Sequence, residues 1–309
     1  MSKLVVIDGN AILHRAFHAI PPLSTPNGEP INAVYGLVSM LLNIIQNLKP
    51  THLVVAFDEA APTFRKKAFK DYQSQRPETA DELSSQFAKA RMFLKAAKIP
   101  VYSKSGYEAD DLIGTIAKQS TEILNAKSQM LNEVVIVTGD RDILQLVDDK
   151  KNIKLFMPIG GIINGKIFTE KETVERMGVI PALIPDLKAL TGDASDNYLG
   201  VRGIGPVTAV KLLDEYKGVD NIYAHLSDIE PKVRQKLEVG IEDAKLFHHL
   251  ATIVRDVPIE FDFPQMEKWS LDAPEVLDLF TTECGFRTLT ERIKKIAKQI
   301  EEEKQGSLF

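Results

Sequence analysis

Nine acidic side chains occupy positions where chain geometry can bring them together. Asp8, Asp58 and Asp140 follow short apolar runs: Lys3–Ile7, His52–Phe57, and Val134–Val137 with Thr138 and Gly139. Glu108, Asp110 and Asp111 open a helical stretch, where residues three apart share a face, so Glu108 and Asp111 project together. Asp140 and Asp142 alternate within TGDRD, which on an extended segment points both to one side. Asp193 and Asp196 lie in TGDASDN, a turn-forming composition. Any one of these reads equally well as a helix cap or a turn residue. As a set they are hard oxygen donors with no His or Cys among them, which suits Mg2+ or Mn2+ and not zinc. Two such ions about 4 Å apart can activate a water and stabilise the leaving oxygen of a phosphodiester.

The elements that must position these acids are legible from periodicity. The runs before Asp8, Asp58 and Asp140 are too short for typical helices and rich in Val and Ile, as buried strands are. Between them lie helical patterns: Asn32–Leu48, with Val34, Leu37, Val38, Leu41, Leu42 and Ile45 at helical spacing, then Glu82–Ala97 and Ala109–Leu124. Strands alternating with helices predict an α/β fold, a mostly parallel central sheet flanked by helices. Ligands of such sheets bind beyond the carboxyl ends of the strands, where three of the acids fall. Thr63–Ser85 is polar and carries Arg65, Lys66, Lys67, Lys70 and Arg76, so it reads as an exposed helical excursion. From about Glu170 the chain reads as helical, and after Asp262 a connector leads to two amphipathic stretches, Pro274–Thr282 and Leu289–Glu303. The expected division is an α/β domain over 1–170, a helical subdomain over 171–265 and a helical extension with a flexible tail over 266–309.

Composition sets outer bounds. Hydrophobic residues make up 44% and charged residues 26% of the 309, as in ordinary globular proteins. The formal net charge of −5 argues against nucleic acid only until the nine acids are set aside, after which the remainder is positive. No apolar run approaches a membrane span, and MSKLVVIDGN reads as a strand and not as a signal peptide. One cysteine, Cys284, forbids an internal disulfide and fits a reducing cytoplasm.

A second informative stretch is GVRGIGPVTAVKLL, residues 200–213. Gly203 and Gly205 permit a tight turn and a helix begins near Pro206. Exposed amides around Gly203, Ile204 and Gly205, the helix N-terminus, Thr208 and Lys211 can grip a phosphate backbone without reading bases.

The motifs VVIDGN, VVAFD, YEADD, VTGDRD, TGDASDNYLGVRGIGPVTA and IVRDVPIEF, in this order, cover most of the chain. They resemble the 5′-nuclease (5′-3′ exonuclease) domain of bacterial DNA polymerase I, within the flap endonuclease family, here in stand-alone form. The resemblance implies a PIN-like or resolvase-like sheet followed by a helix-hairpin-helix subdomain. It implies that all nine acids bind divalent metal, with Asp8, Asp58, Glu108 and Asp110 nearer the catalytic ion. Asp111, Asp140, Asp142, Asp193 and Asp196 would extend toward the second. It implies that the hairpin holds duplex DNA, often with a K+ on turn carbonyls, that residues 62–90 form a helical arch over the 5′ strand, and that Arg15 lies near the scissile phosphate. The implied protein is a monomeric, cytoplasmic replication and repair nuclease. It would bind branched or nicked duplex with a 5′ flap or RNA primer and leave a 5′-phosphate and a 3′-hydroxyl.

One departure stands out. Where the family's arch reads Tyr-Lys-x-x-Arg, this chain has Tyr72-Gln73-Ser74-Gln75-Arg76. A cation at that position would steady charge developing on the phosphate, so cleavage is expected to be slower but real, with Arg76 and Lys70 as the remaining basic groups. The sequence Gln305-Gly306-Ser307-Leu308-Phe309 resembles the bacterial sliding-clamp motif, with Gln305, Ser307, Leu308 and Phe309 as the matching positions. Two rival readings are a PIN-like ribonuclease, which has no need of the duplex hairpin, and a non-catalytic branch-binding module tethered to the clamp, which has no need of so many acids.

Overall fold

The computed structural model describes residues 2–126, 131–159, 164–260 and 262–306. Six strands, β1 (Ser2–Asp8), β2 (His52–Ala56), β3 (Val101–Tyr102), β4 (Leu131–Val137), β5 (Ile153–Pro158) and β6 (Gly165–Phe168), form one sheet in the order β3-β2-β1-β4-β5-β6. Every pairing is parallel except the antiparallel β5–β6 edge. The mostly parallel sheet expected from the sequence is therefore present. Its central strands are apolar on both faces because both faces are covered.

Alternation divides the core in two. Leu4, Val6, Val54, Val134 and Ile136 face one layer, built from α5 (Ala109–Ala126) and the helices beyond residue 170. Val5, Ile7, Leu53, Val55, Val135 and Val137 face the other, built from α1 (Gly9–Ala19), α2 (Asn32–Leu48) and α4 (Asp81–Ala96), which follows the short α3 (Phe64–Ala68). The second half of the chain begins with α6 (Glu170–Met177) and α7 (Ile184–Thr191). It continues through α8 (Pro206–Tyr216), α9 (Val219–Ala224), α10 (Pro231–Val239) and α11 (Ile241–Ala251). The last segment, α12 (Pro274–Asp278) running into a π-helical turn and then α13 (Arg287–Gly306), returns to the first half. Phe280, Ile293 and Ile296 join the α2 layer, and the Trp269 indole donates to the Thr51 carbonyl at 3.2 Å. Cys284 is buried there. Among the described residues no helix is long and apolar enough to cross a membrane.

Two local expectations are corrected. Thr63–Ser85 is exposed over most of its length, with Lys66, Lys67, Lys70 and Arg76 at the surface as expected, but its helix is limited to the five residues of α3 and the start of α4, and Arg65 and Tyr72 are each only 3% exposed. Arg65 is drawn inward by acidic partners, which a reading of charge as solvation misses. Asp140 and Asp142 do not alternate along a strand, since Asp142 opens a 3-10 helix and its N–H donates to Asp140 Oδ1 at 2.8 Å.

Candidate active site

The parallel register aligns the ends of β1, β2 and β4: Asp8 lies opposite Ala56, and Ile7 opposite Val137. Each strand-end acid is then fixed by neighbouring donors. Asp8 caps α1, accepting from the Ala11 amide at 2.9 Å and from the Thr138 hydroxyl at 2.7 Å. Asp58 accepts from the Ala109 amide at 2.7 Å, at the start of α5, and its own N–H donates to Asn10 at 3.0 Å. Helix capping and site formation are thus one arrangement here, not alternatives.

Asp8, Asp58, Glu108, Asp110, Asp140, Asp142 and Asp196 line one cavity of about 670 Å³. Asp193 joins them through a triad with Asp142 and Asp196 whose carboxylate oxygens lie within 4.8 Å of one another. Eight of the nine acids therefore converge. Asp111 does not face the cavity. It is fully buried, and its two oxygens take a bidentate pair from Arg65, both at 2.8 Å, plus the Val254 amide at 2.9 Å. The three-residue spacing does place Glu108 and Asp111 beside the same guanidinium, with Arg65 3.2 Å from Glu108, but Asp111's oxygens are occupied by these donors. Asp111, expected as a metal ligand, is found here in a buried ion pair with Arg65.

Crowding shows in the proton affinities. Burial, with Asp58 and Asp140 adding repulsion, pushes the Asp8 carboxyl up to about 7. Burial also carries Asp142 to about 7 against the pull of Lys188, and it raises Asp110 well above the usual carboxylate range, aided by Asp140 and Asp8. Asp58 and Glu108 are raised for the same first reason. Asp193 goes the other way: burial would raise it, but the Lys188 ammonium and the Ser195 hydrogen bonds outweigh burial. Buried carboxylates that crowd one another are relieved by added positive charge, which a divalent cation can provide.

Of the expected basic residues only Arg76 lines the cavity. Arg15 and Lys70 are not in the cavity lining, whereas His14 and Lys66 are, and the Lys66 ammonium donates to the Tyr72 carbonyl at 2.8 Å. Arg76 lines the cavity and pairs with Asp196 at 2.8 Å. Gln73 takes a left-handed backbone (φ 55) and binds Asp196 twice, by its N–H to the carbonyl and by its side-chain amide to Oδ1, both at 3.0 Å. The Tyr72 hydroxyl lies 3.2 Å from Glu108 and 3.3 Å from Asp196. Lys188, on α7, was missed entirely. It is 9% exposed, and its ammonium bridges Asp142 and Asp193. The available signal was a lysine inside IPDLKALT, a stretch whose remaining residues apart from Asp186 and Thr191 are apolar.

The hairpin abuts this acid loop. Gly200 (φ +64) is pressed against the TGD turn so closely that a Cβ on it would stand 2.2 Å from the Gly192 nitrogen. Gly203 (φ +84) turns the chain, Ile204 is buried, and Gly205 precedes Pro206 at the start of α8. Thr208 is half-buried and Lys211 exposed on that helix, and the Lys236 ammonium donates to the Gly203 carbonyl at 2.9 Å. Ser307, Leu308 and Phe309, and the side chain of Gln305, lie outside the described residues.

Sheet, acids and appended helices define a resolvase-like α/β nuclease domain followed by a helical module. Residues 3–178 match the model of the 5′-3′ exonuclease N-terminal resolvase-like domain, and residues 179–274 match that of the 5′-3′ exonuclease C-terminal SAM fold. The chain is 36% identical over 311 residues to the 5′-3′ exonuclease of Aquifex aeolicus (strain VF5), covering 100% of both. This chain belongs to the 5′-3′ exonuclease family and is a hydrolytic nuclease. It is also 37% identical over 302 residues to DNA polymerase I of Bacillus subtilis (strain 168), covering 97% of this chain but 33% of that protein. It thus spans a third of the polymerase's length. Among solved structures, T5 5′-exonuclease with bound zinc has a TM-score of 0.61 at 20% identity, covering 97% of this chain and 98% of that one. The catalytic core of Rad2 in complex with DNA substrate has a TM-score of 0.59 at 15% identity, covering 97% and 92%. At these identities the likeness is one of fold.

Proposed function

We propose that this chain cuts DNA in a structure-specific manner, at a 5′ flap or RNA primer beside duplex, with two divalent cations, Mg2+ or Mn2+, held by the acid cluster. The observation that carries this reading is the convergence of eight carboxylates on one cavity, tied through the Gly200–Gly192 contact to the hairpin. The donor set is all carboxylate, and Asp8 and Asp110 are short of positive charge. Proteins of the same fold support it: T5 5′-exonuclease with divalent metal ions and the Rad2 core with DNA substrate.

Such cations, when bound, supply activation of a water and charge neutralisation on the leaving oxygen. Asp8, Asp58, Glu108, Asp110 and Asp140 would hold the first, and Asp142, Asp193 and Asp196 the second. Asp111 stands apart, as the anchor of Arg65. Arg76 and Lys66, at the cavity, hold phosphate oxygens, leaving Arg15 and Lys70 to the flanking strand. Gly203, Ile204, Gly205, Thr208 and Lys211 grip the duplex backbone, and a K+ there would share the Gly203 carbonyl with Lys236. Gln305, Ser307, Leu308 and Phe309 serve as a clamp-binding tail. Deleting Leu308 and Phe309 abolishes clamp capture and leaves cleavage of free flap substrate unchanged, and capture that persists removes that part of the reading.

The decisive assay is a 5′-flap duplex with Mg2+ or Mn2+. Cleavage near the junction is expected, and Asp140→Asn lowers it about a thousandfold. A flap left intact in both metals overturns the proposal, and preferential cutting of single-stranded RNA transfers it to the ribonuclease alternative.

A further inference from the structure

The acid cluster has two lobes that differ in how they are neutralised. In the first, Asp8 is met by an amide and a hydroxyl, those of Ala11 and Thr138, and the guanidinium 3.2 Å from Glu108 is that of Arg65, committed bidentately to Asp111 outside the lobe. In the second, Asp142, Asp193 and Asp196 already carry built-in positive charge. The Lys188 ammonium bridges Asp142 Oδ1 and Asp193 Oδ2, and the Arg76 guanidinium lies 2.8 Å from Asp196 Oδ1. Lys188 is not a surface side chain that happened to fold over. It rises from α7, whose residues Ile184–Leu190 are buried, and so its ammonium is delivered by the core. An ammonium and a divalent cation contend for the same oxygens, and only one can occupy the space between two carboxylates held this close. A ligand that must displace an internal competitor binds more weakly by the free energy of that displacement.

We propose that Lys188 is the internal counter-ion of the second lobe. Without divalent metal it holds Asp142 and Asp193 in place for coordination. It must swing aside for a divalent ion to enter, so the two lobes fill in sequence, the Asp8 lobe first. This rests on the two-cation reading above and assigns the inequality of the two positions to one residue. Lys188 is a positioning residue, acting through Asp142 and Asp193.

The test is Mn2+ binding to the full chain without DNA, read from the electron paramagnetic resonance signal of free Mn2+. The wild type is expected to show two classes of site separated by about tenfold or more in affinity. Lys188→Met tightens the weaker class by about tenfold and leaves the tighter class unchanged, while Asp8→Asn removes the tighter class. A weaker class that is unchanged or weakened in Lys188→Met overturns the inference. Far-UV circular dichroism checks that the variant is folded. The wild type supplies an independent measurement: acetylation of Lys188 by an N-hydroxysuccinimide ester, quantified by mass spectrometry. Saturating Mg2+ raises that labelling severalfold if the ammonium is expelled, and labelling that does not change overturns the proposal. A single uniform class of Mn2+ sites overturns this inference alone, whereas no Mn2+ uptake by the wild type overturns the two-cation reading with it.

Discussion

The two halves of the acid cluster are built by different means. Asp8, Asp58 and Asp140 sit just past strands whose register is fixed by backbone pairing, and Asp8 and Asp58 are held by amides. Asp193 and Asp196 sit on a turn of the helical subdomain and are held by side-chain cations, Lys188 and Arg76. The first half is positioned by the sheet and by backbone amides; the second is positioned by its own counter-ions. Strand-borne acids should therefore tolerate little change, and turn-borne acids more.

The sharpest way to break that comparison is cleavage kinetics. Asp8→Asn is expected to lower flap cleavage about a thousandfold, and Asp193→Asn by an order of magnitude less, because Asp142 and Asp196 remain to hold the second cation. Equal losses would remove the distinction. Next comes stability. Arg65→Met leaves Asp111 buried without its partner and should cost about 3–5 kcal/mol in denaturant unfolding. A loss under about 1 kcal/mol would show that the pair does not hold this part of the core together. A third effect is visible in chelator. Asp8 and Asp142 stand at about 7 when folded, above an ordinary value of 3.8, so the folded state retains their protons longer. That sign means stability falls as pH rises from about 4 to 7, and the metal-free melting temperature should drop across that window. Mg2+ should flatten the profile, and a metal-free profile that rises instead would show the carboxyls are not crowded. The smallest change is Gln73→Lys, which puts a cation beside Asp196 and should raise the cleavage rate a few fold. A rate that does not rise would show that Gln73 does not limit cleavage.

The same division decides what was legible in the sequence. Asp8, Asp58 and Asp140 could be read because a short Val- and Ile-rich run followed by an acid is a local pattern, and the parallel sheet does the rest. Asp111 could not, because its partner Arg65 is 46 positions away and looked like part of a solvated basic stretch. Lys188 was invisible for the converse reason: five residues from Asp193 it looked like an ordinary helix lysine, and only tertiary packing turns it onto two carboxylates. The segment around Tyr72–Arg76 is largely exposed, as its charge suggests, but its hydrogen bonds to Asp196 and Ser195 bridge about 120 positions and leave no mark in the local sequence. Local pattern specified the strands; long-range charge pairing specified the rest.

The near-contact between Gly200 and the Gly192 nitrogen has a metrical consequence. No side chain intervenes between Gly200 and Gly192, so the span from the Gly203–Gly205 turn to Asp193 is set by peptide units and behaves as a calliper. On the proposed reading, a substrate held at one jaw would present the same phosphate at the other whatever its bases, and the position of the incision would be a dimension of the protein.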